Sequence, residues 1–337
     1  MLDTKSKKII FFGLGGAGQR HLRIISNTFK NKYKLFAYRK KNKTPFLDKK
    51  CKPNFKKKIS DTYNLEIIKN LNSCAKLNPD YVVISTPTSI RYEFIKIFKK
   101  KKITFLLEKP LSHNLKEFYL IKKHLKKNNQ KLHVLYQRRY YPHNILIKKI
   151  LKKKSIGKIL LSTFDVSSFM PDWHTYENYK KLYAAKNKLG GGVLLTECHE
   201  LDLCHWFFGK PISFHGKVFK NKLFKLDVED EAEFFLHYNN FLAKFKLNFL
   251  DKNPKRMITI YGTKGKILSN QINGNLRINF YKRKNLLWKK NIDRDYMFKQ
   301  QIKNIFNNLN NNKTQRSIDI DRSIISIIEK IKKINNV

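Results

Sequence analysis

The sequence predicts an α/β chain in two parts. Residues 1–136 read as a Rossmann-type dinucleotide-binding domain, and residues 137–337 as an α+β domain built on an antiparallel sheet. Three observations carry this. Short, near-continuous apolar runs alternate with helical patterns through the first 136 residues, as expected for a parallel sheet covered on both faces. A glycine-rich turn, Gly13-Leu-Gly-Gly-Ala-Gly18, directly follows the first of those runs. After Pro142 the pattern changes, and from about Ile212 to Tyr281 several alternating strands are separated by turn signals.

In chain order, Lys8–Phe12 reads as the first strand and Ala17–Asn27 as the helix after it. Leu35–Tyr38 reads as the second strand. Asp80-Tyr-Val-Val-Ile-Ser85 is strongly β-branched and reads as a strand, followed by Thr86-Pro87 and a helix reaching about Lys100. Ile103–Leu107 and Leu132–Tyr136 are further strands, with a helix at Leu115–Lys127 between them. In the second part, a helix at Asn144–Lys153 leads to a strand near Ile159–Val166. A polar, aromatic loop follows, then Gly190-Gly-Gly192 and one helix over Val193–Phe207. Tyr238-Asn-Asn240 and Asn273-Gly274 mark turns in the sheet region. Helices close the chain at Tyr296–Leu309 and Ile320–Ile334, and Ile320, Ile324, Ile327, Ile328 and Ile331 form a packing face in the last one. The C-terminal helix is expected to pack back on the first domain.

A chain of 337 residues fits two domains with substantial cores, and 41% hydrophobic content marks it as globular. The net charge of +47 invites a nucleic-acid reading. The lysines are spread along the whole chain, with abundant Asn and Ile, and no zinc-finger spacing or RNP-like motif accompanies them. Specific nucleic-acid binding is therefore set aside, and weak, salt-sensitive sticking to polyanions is expected. No apolar run approaches the roughly 18 residues of a membrane span. Cys51, Cys74, Cys198 and Cys204 show no CxxC spacing and no disulfide framework. The expectation is a soluble cytoplasmic protein with reduced thiols, no membrane partner and no metal. A site from His199, Glu200 and His205 is not favoured.

Several residues point to chemistry. Gly13-x-Gly15-x-x-Gly18 sits between a strand and a helix, the context in which glycines let a pyrophosphate approach backbone N–H groups at a helix N-terminus. An NAD site usually has an acid at the end of the second strand, for the ribose 2′-hydroxyl. Here Tyr38-Arg39-Lys40-Lys41 stands there instead, so Arg39 and Lys40 favour NADP over NAD. Glu108-Lys109-Pro110 ends a strand, and Lys109 is the candidate acid/base if its surroundings lower its pKa toward neutrality. Glu108 could orient it, and Pro110 could take a cis bond. The loop Pro171–Tyr179, with Trp173, His174, Tyr176 and Tyr179, suits a sugar ring, offering aromatic faces and hydrogen-bonding edges. On the predicted helix after Gly190–Gly192, Thr196, His199 and Glu200 share a face at i, i+3, i+4 spacing. His199 is then a second proton relay or a hydroxyl ligand.

These residues also carry a resemblance. Gly13–Gly18 running into Gln19-Arg20-His21-Leu22-Arg23, then Thr86-Pro87, Glu108-Lys109-Pro110, Gln137-Arg-Arg-Tyr140, Gly190–Asp202, Val228–Ala232 and Tyr261–Gly265 occur in the order seen in the Gfo/Idh/MocA family, the glucose–fructose oxidoreductase and inositol dehydrogenase group. The resemblance implies a Rossmann domain followed by a domain on a large, mostly antiparallel sheet, often used to form dimers or tetramers. It implies NAD(P)-dependent redox of sugars, cyclitols or sugar nucleotides, with a weaker association to surface-sugar biosynthesis. It sets Lys109 beside the nicotinamide as proton relay with His199 as partner. Gly13, Gly15, Gly16, Ala17, Gly18, Arg39, Lys40, Thr86, Pro87, Glu108 and Lys109 then form the cofactor set, and Trp173, His174, Tyr176, Tyr179, Thr196, His199 and Glu200 the substrate set. The sequence departs from many relatives in having Thr196 where an acid is common and Arg91 where a His is common. The same residues would also serve a non-catalytic NAD(P)-binding regulator, or a lyase or hydrolase that uses NAD transiently.

Overall fold

A computed structural model of the chain describes residues 6–40, 44–99, 102–174, 176–221, 224–308 and 316–336. Lys41, Lys100, Thr175 and Leu309, named above, lie outside them. The chain divides into two units, one of residues 1–136 with 298–318, the other of residues 137–297 with 319–337.

The first unit begins β1 (Lys7–Phe12), α1 (Gly16–Thr28), β2 (Tyr33–Tyr38), and a short pair β3 (Phe46–Leu47) and β4 (Pro53–Asn54). It continues through α2 (Ile59–Tyr63), β5 (Leu65–Ile68), α3 (Leu71–Lys76), β6 (Tyr81–Ile84), α4 (Arg91–Ile95), β7 (Thr104–Glu108), α5 (Leu115–Lys127) and β8 (Lys131–Leu135). The main sheet has the order β5-β2-β1-β6-β7-β8, and every pairing in it is parallel. Strand order reverses between β1 and β6. A crevice therefore opens at their C-terminal ends, where doubly wound sheets bind ligands. The strands are apolar because helices cover both faces: Ile9, Ile10, Phe11 and Phe12 are all fully buried.

The helix expected from Thr86-Pro87 to about Lys100 is shorter, a 3₁₀ turn at Thr88–Ile90 followed by α4. The Phe98 carbonyl, which a continuing helix would use, accepts instead from His124 Nε2 (2.9 Å) and Gln130 Nε2 (3.0 Å). Phe298, Ile302, Ile305 and Phe306 join the core of this first unit, alongside Ile9, Phe11 and Tyr81. They come from α9 (Arg294–Asn307), introduced below in chain order.

The second unit runs α6 (Pro142–Lys152), β9 (Ile159–Phe169), α7 (Val193–Thr196), α8 (His199–Phe208), β10 (Ser213–Phe219), β11 (Glu231–Tyr238), β12 (Phe241–Asn248), β13 (Leu250–Gly262), β14 (Gly265–Asn270), β15 (Asn275–Phe280) and β16 (Leu286–Lys289). Then come α9 and α10 (Asp319–Ile334). The eight strands lie in the order β10-β11-β12-β9-β13-β14-β15-β16. All pairings are antiparallel except β12 with β9. Alternation gives the sheet one buried face, with Phe164, Phe234 and Phe245 stacked across three strands at 4.5 and 4.8 Å. Ile324, Ile327, Ile328 and Ile331 of α10 are buried and Ile320 is half-buried. This last helix belongs to the second unit, and the segment grouped with the first unit is Phe298–Ile318.

Candidate active site

The glycine loop is built by steric exclusion. Gly13 has φ +86°, and a side chain there would meet the Ser85 carbonyl at 2.7 Å, so the loop lies flat against the end of β6. A Cβ on Gly18 would stand 1.9 Å from the Gly13 carbonyl oxygen, so α1 can start this close to the loop only with glycine. Gly15 and Gly16 differ: a Cβ at either meets nothing within 4 Å. They front open space at the N-terminus of α1, where no side chain caps the helix and no acid sits in the first turn. Ala17 follows in that turn. Bare N–H groups, a helix dipole and open glycine faces fit a pyrophosphate. Beside this loop the hydroxyls of Ser85 and Thr86 are buried without a hydrogen-bond partner among the described residues.

Arg39 ends β2, half-buried, and one guanidinium nitrogen donates to the Thr44 carbonyl (3.1 Å). Burial lowers its pKa from the ordinary arginine value. Lys40 beside it is exposed. A cavity of about 920 Å³ in this unit lies at the opposite ends of the strands, lined by Phe29, Tyr33, Tyr63 and Leu65, and is not the dinucleotide crevice.

Lys109 stands at the C-terminal end of β7, next to β6 in the sheet. The Lys109–Pro110 bond is cis. Its backbone is held from two sides. Glu108 Oε2 accepts from the Lys109 N–H at 3.2 Å, while Glu108 Oε1 lies 2.6 Å from His21 Nε2. Arg91 is buried and spends its guanidinium on main-chain oxygens. It donates to Thr86 (3.1 Å), Lys109 (3.4 Å), Glu108 and Pro110. The residue that departs from the common family pattern is thus the clamp of the Glu108–Pro110 turn, and it ties that turn to Thr86-Pro87. Burial by itself would push the Glu108 carboxyl up. The His21 hydrogen bond and charge, then Lys109 and Arg91, outweigh burial and hold it below the usual range. Glu108 faces inward with both oxygens engaged.

In the second unit the expected single helix over Val193–Phe207 is two. α7 ends at Thr196, Glu197 takes φ −98°, ψ 23°, and α8 starts at His199. The shared face of Thr196, His199 and Glu200 is therefore broken between Thr196 and His199. A buried ion cluster sits at the break: Arg256 of β13 bonds Glu197 at 2.6 Å and also bonds Glu200. Glu200 is 1% exposed, with Oε1 paired to Arg256 and Oε2 buried without a hydrogen-bond partner among the described residues. Burial pushes its carboxyl up, opposed by Arg256 and reinforced by Glu197. Arg138 nearby is lowered to about 9 by burial and by Arg256.

His199, at the start of α8, is buried, with Nε2 3.4 Å from Gln137 Nε2. One turn on, Asp202 holds Arg139 bidentately at 2.7 and 2.9 Å. Gly192 has φ +99°, and a Cβ there would lie 2.2 Å from Glu229 Oε1. Glu229 also accepts from Leu194 N (3.3 Å) and pairs with Lys332 Nζ (2.8 Å). Val228–Ala232 thereby gains a role: it seats the glycine turn that starts α7.

The aromatic loop lies in the same unit. Trp173 packs edge-on against Phe249 (4.9 Å). His174 bonds Glu177 (2.7 Å) and stacks with Tyr176 (5.3 Å). Tyr179 begins a 3₁₀ turn and is half-buried.

Residues 7–136 match the oxidoreductase family with an NAD-binding Rossmann fold, and residues 145–268 match the GFO/IDH/MocA C-terminal domain. The chain belongs to the GFO/IDH/MocA oxidoreductase family. Its first unit is the family's NAD-binding domain and the chain is an oxidoreductase. Among solved structures it is similar to myo-inositol 2-dehydrogenase from Lactobacillus plantarum, at 18% identity and TM-score 0.79, covering 98% of each chain. It is similar to the WlbA dehydrogenase from Bordetella pertussis in complex with NADH and UDP-GlcNAcA, at 16% identity and TM-score 0.76, covering 98% of this chain and 96% of that one. Biliverdin reductase from Synechocystis sp. PCC 6803, in complex with biliverdin and NADP+, matches at 12% identity and TM-score 0.77 over 99% and 100% of the chains. At such identities the likeness is one of fold. No curated protein matches the sequence closely enough to count as a relative.

In this GFO/IDH/MocA oxidoreductase, the residues to which sequence reading gave no role of their own mostly have partners far away in the chain. His21, Arg91, Arg139, Asp202, Glu197 and Arg256 are the main ones. The His199-x-x-Asp202 spacing and the Arg138-Arg139 pair were the available signals for two of them.

Proposed function

We propose that this GFO/IDH/MocA oxidoreductase interconverts an alcohol and a carbonyl on a sugar, cyclitol or sugar nucleotide, with Lys109 moving the hydroxyl proton. The observation that carries this is Lys109 itself. It is a half-buried lysine at the C-terminal end of β7, one strand from the glycine-loop crevice, with its backbone fixed by Glu108 and Arg91. When bound, a nicotinamide dinucleotide supplies hydride acceptance or donation. In the oxidative direction the neutral Lys109 amine takes the proton of the alcohol oxygen; in the reductive direction the ammonium returns it. His199 assists as the second proton-handling group, and Asp202, through Arg139, steadies the helix that carries it. Trp173, His174, Tyr176, Tyr179, Thr196, His199 and Glu200 bind the substrate, with Glu200 also paired to Arg256.

Arg39, with Lys40, favours NADP by binding a 2′-phosphate, since a single main-chain contact leaves most of the guanidinium fork for it. The sugar-nucleotide arm of the reading draws support from the WlbA complex with UDP-GlcNAcA; the place in surface-sugar biosynthesis rests on the sequence resemblance alone. The reading is of a cytoplasmic homo-oligomer. No helix among the described residues is long and apolar enough to cross a membrane, and the four cysteines are free.

The test is a fluorescence titration with NADPH and NADH, then turnover on a panel of cyclitols, hexoses, uronates and sugar nucleotides. Binding of either dinucleotide with turnover of at least one sugar-like alcohol is expected. Binding without turnover of any of them contradicts the enzyme reading, and no binding contradicts the cofactor reading as well.

A further inference from the structure

We propose that His21, on the dinucleotide-binding helix, is a positioning residue for Lys109: it holds the buried Glu108 carboxylate in place and in its charged form beside the lysine. This rests on the reading of Lys109 as the proton-moving group.

His21 lies three residues past Gly18, in the first turns of α1, and is fully buried. Glu108 Oε1 is an acceptor 2.6 Å away, so the proton sits on Nε2. The other ring nitrogen, Nδ1, is buried with no hydrogen-bond partner among the described residues, and the ring meets Phe298 edge-on at 5.5 Å. His21 therefore has one hydrogen-bonding contact, and it goes to Glu108. The second Glu108 oxygen accepts the Lys109 N–H. One carboxylate thus links the helix that would carry the dinucleotide to the backbone of the residue that would move the proton.

The titratable and charged groups facing Glu108 are His21 from α1, Arg91 from α4 and Lys109 from its own turn. Burial disfavours the carboxylate, and His21 is the foremost of the groups that offset it. If His21 loses its donor, Glu108 moves toward its neutral form. Lys109 then loses a neighbouring negative charge while the Arg91 guanidinium stays, and its ammonium becomes easier to deprotonate. A side chain that never meets the substrate thereby sets the protonation of one that does.

The test reads Lys109 directly. The protein, free of dinucleotide, is labelled with acetic anhydride across pH 6–11, and modification of the Lys109 peptide is followed by mass spectrometry. Glu108→Gln and His21→Leu are expected to lower the Lys109 midpoint by about one pH unit. His21→Gln, which keeps an N–H in reach of Glu108, is expected to stay near wild type. Equal midpoints in all four proteins overturn the proposal, as does a His21→Gln shift as large as that of His21→Leu. If His21→Leu does not fold, Glu108→Gln and His21→Gln still decide it. Turnover separates the two levels of the argument. The pH profile of kcat/KM for alcohol oxidation should move to lower pH with the labelling midpoint. Full activity in Lys109→Ala would remove the proton-moving role, while the labelling result would still judge the His21 link.

Discussion

Glu108 and Glu200 are both buried carboxylates bonded to a basic side chain, yet Glu108 is held below the ordinary range and Glu200 is pushed above it. The difference lies in the company each keeps. Glu108 is a single acid facing His21, Arg91 and Lys109, with a backbone N–H on its second oxygen. Glu200 shares Arg256 with Glu197, so each acid raises the cost of ionising the other. The strand tip in the first unit is thus built around a stable negative charge beside a lysine. The helix start in the second unit is built around one arginine shared by two acids at the break between α7 and α8. The first arrangement suits tuning a proton donor, and the second suits shaping a pocket.

The sharpest way to break this contrast is to remove the arginine. Arg256→Met leaves Glu197 and Glu200 buried without their shared partner and should cost about 3–5 kcal/mol. Urea denaturation measures it, and a loss below about 1 kcal/mol would mean the cluster is not what holds α7 and α8. The next largest effect belongs to the other unit. Gly18→Ala forces a carbon against the Gly13 carbonyl and should weaken NADH binding by about tenfold or more. Gly16→Ala, which meets no protein atom, should weaken binding through ligand contact alone and leave thermal stability unchanged. Comparable destabilisation by the two alanines would show that the loop is not packed as described.

Arg39→Ala should reduce NADPH affinity by about tenfold while leaving NADH within about twofold, the loss expected for one charged hydrogen-bonding partner. An equal effect on both dinucleotides would contradict the 2′-phosphate role.

The smallest effect is in the pH dependence of stability. Glu108 has a lowered folded pKa. Its contribution is present above the unfolded value of about 4.3 and is lost as pH falls through the folded value. Glu200 has a raised folded pKa. Its contribution is present below about 4.3 and is lost as pH rises through the folded value. Glu108→Gln should therefore flatten the gain in stability as pH rises from the acid side, and Glu200→Gln should flatten the loss as pH rises further. Curves that change in the same direction would remove the contrast.

Much of the fold was legible because it is written locally. The helix read at Leu115–Lys127 has those bounds in the structure, where Asn114 caps its N-terminus and accepts from Glu117 N at 2.8 Å. The edge strand Leu65–Ile68 was passed over because four residues with no alternation carry little periodic signal. The break at Glu197 was hidden because buried residues run on through Val193–Phe207, while Arg256, which pairs with both acids there, lies 56 and 59 residues away. The site divides the same way. The glycine loop and Lys109 are legible from type and context. His21 depends on a partner 87 residues distant, and Arg91 on carbonyl oxygens from 5 to 19 residues away that no side-chain pattern announces.

The most direct test of the central claim is the comparison of wild type with Lys109→Ala in steady-state turnover of a sugar-like alcohol, read with dinucleotide affinity in the same preparations. The account predicts a fall in kcat/KM of about 10²–10⁴-fold, the usual share of a general acid–base group, with dinucleotide affinity changed by less than about threefold. Turnover preserved in Lys109→Ala, or lost only in step with dinucleotide binding, would contradict it.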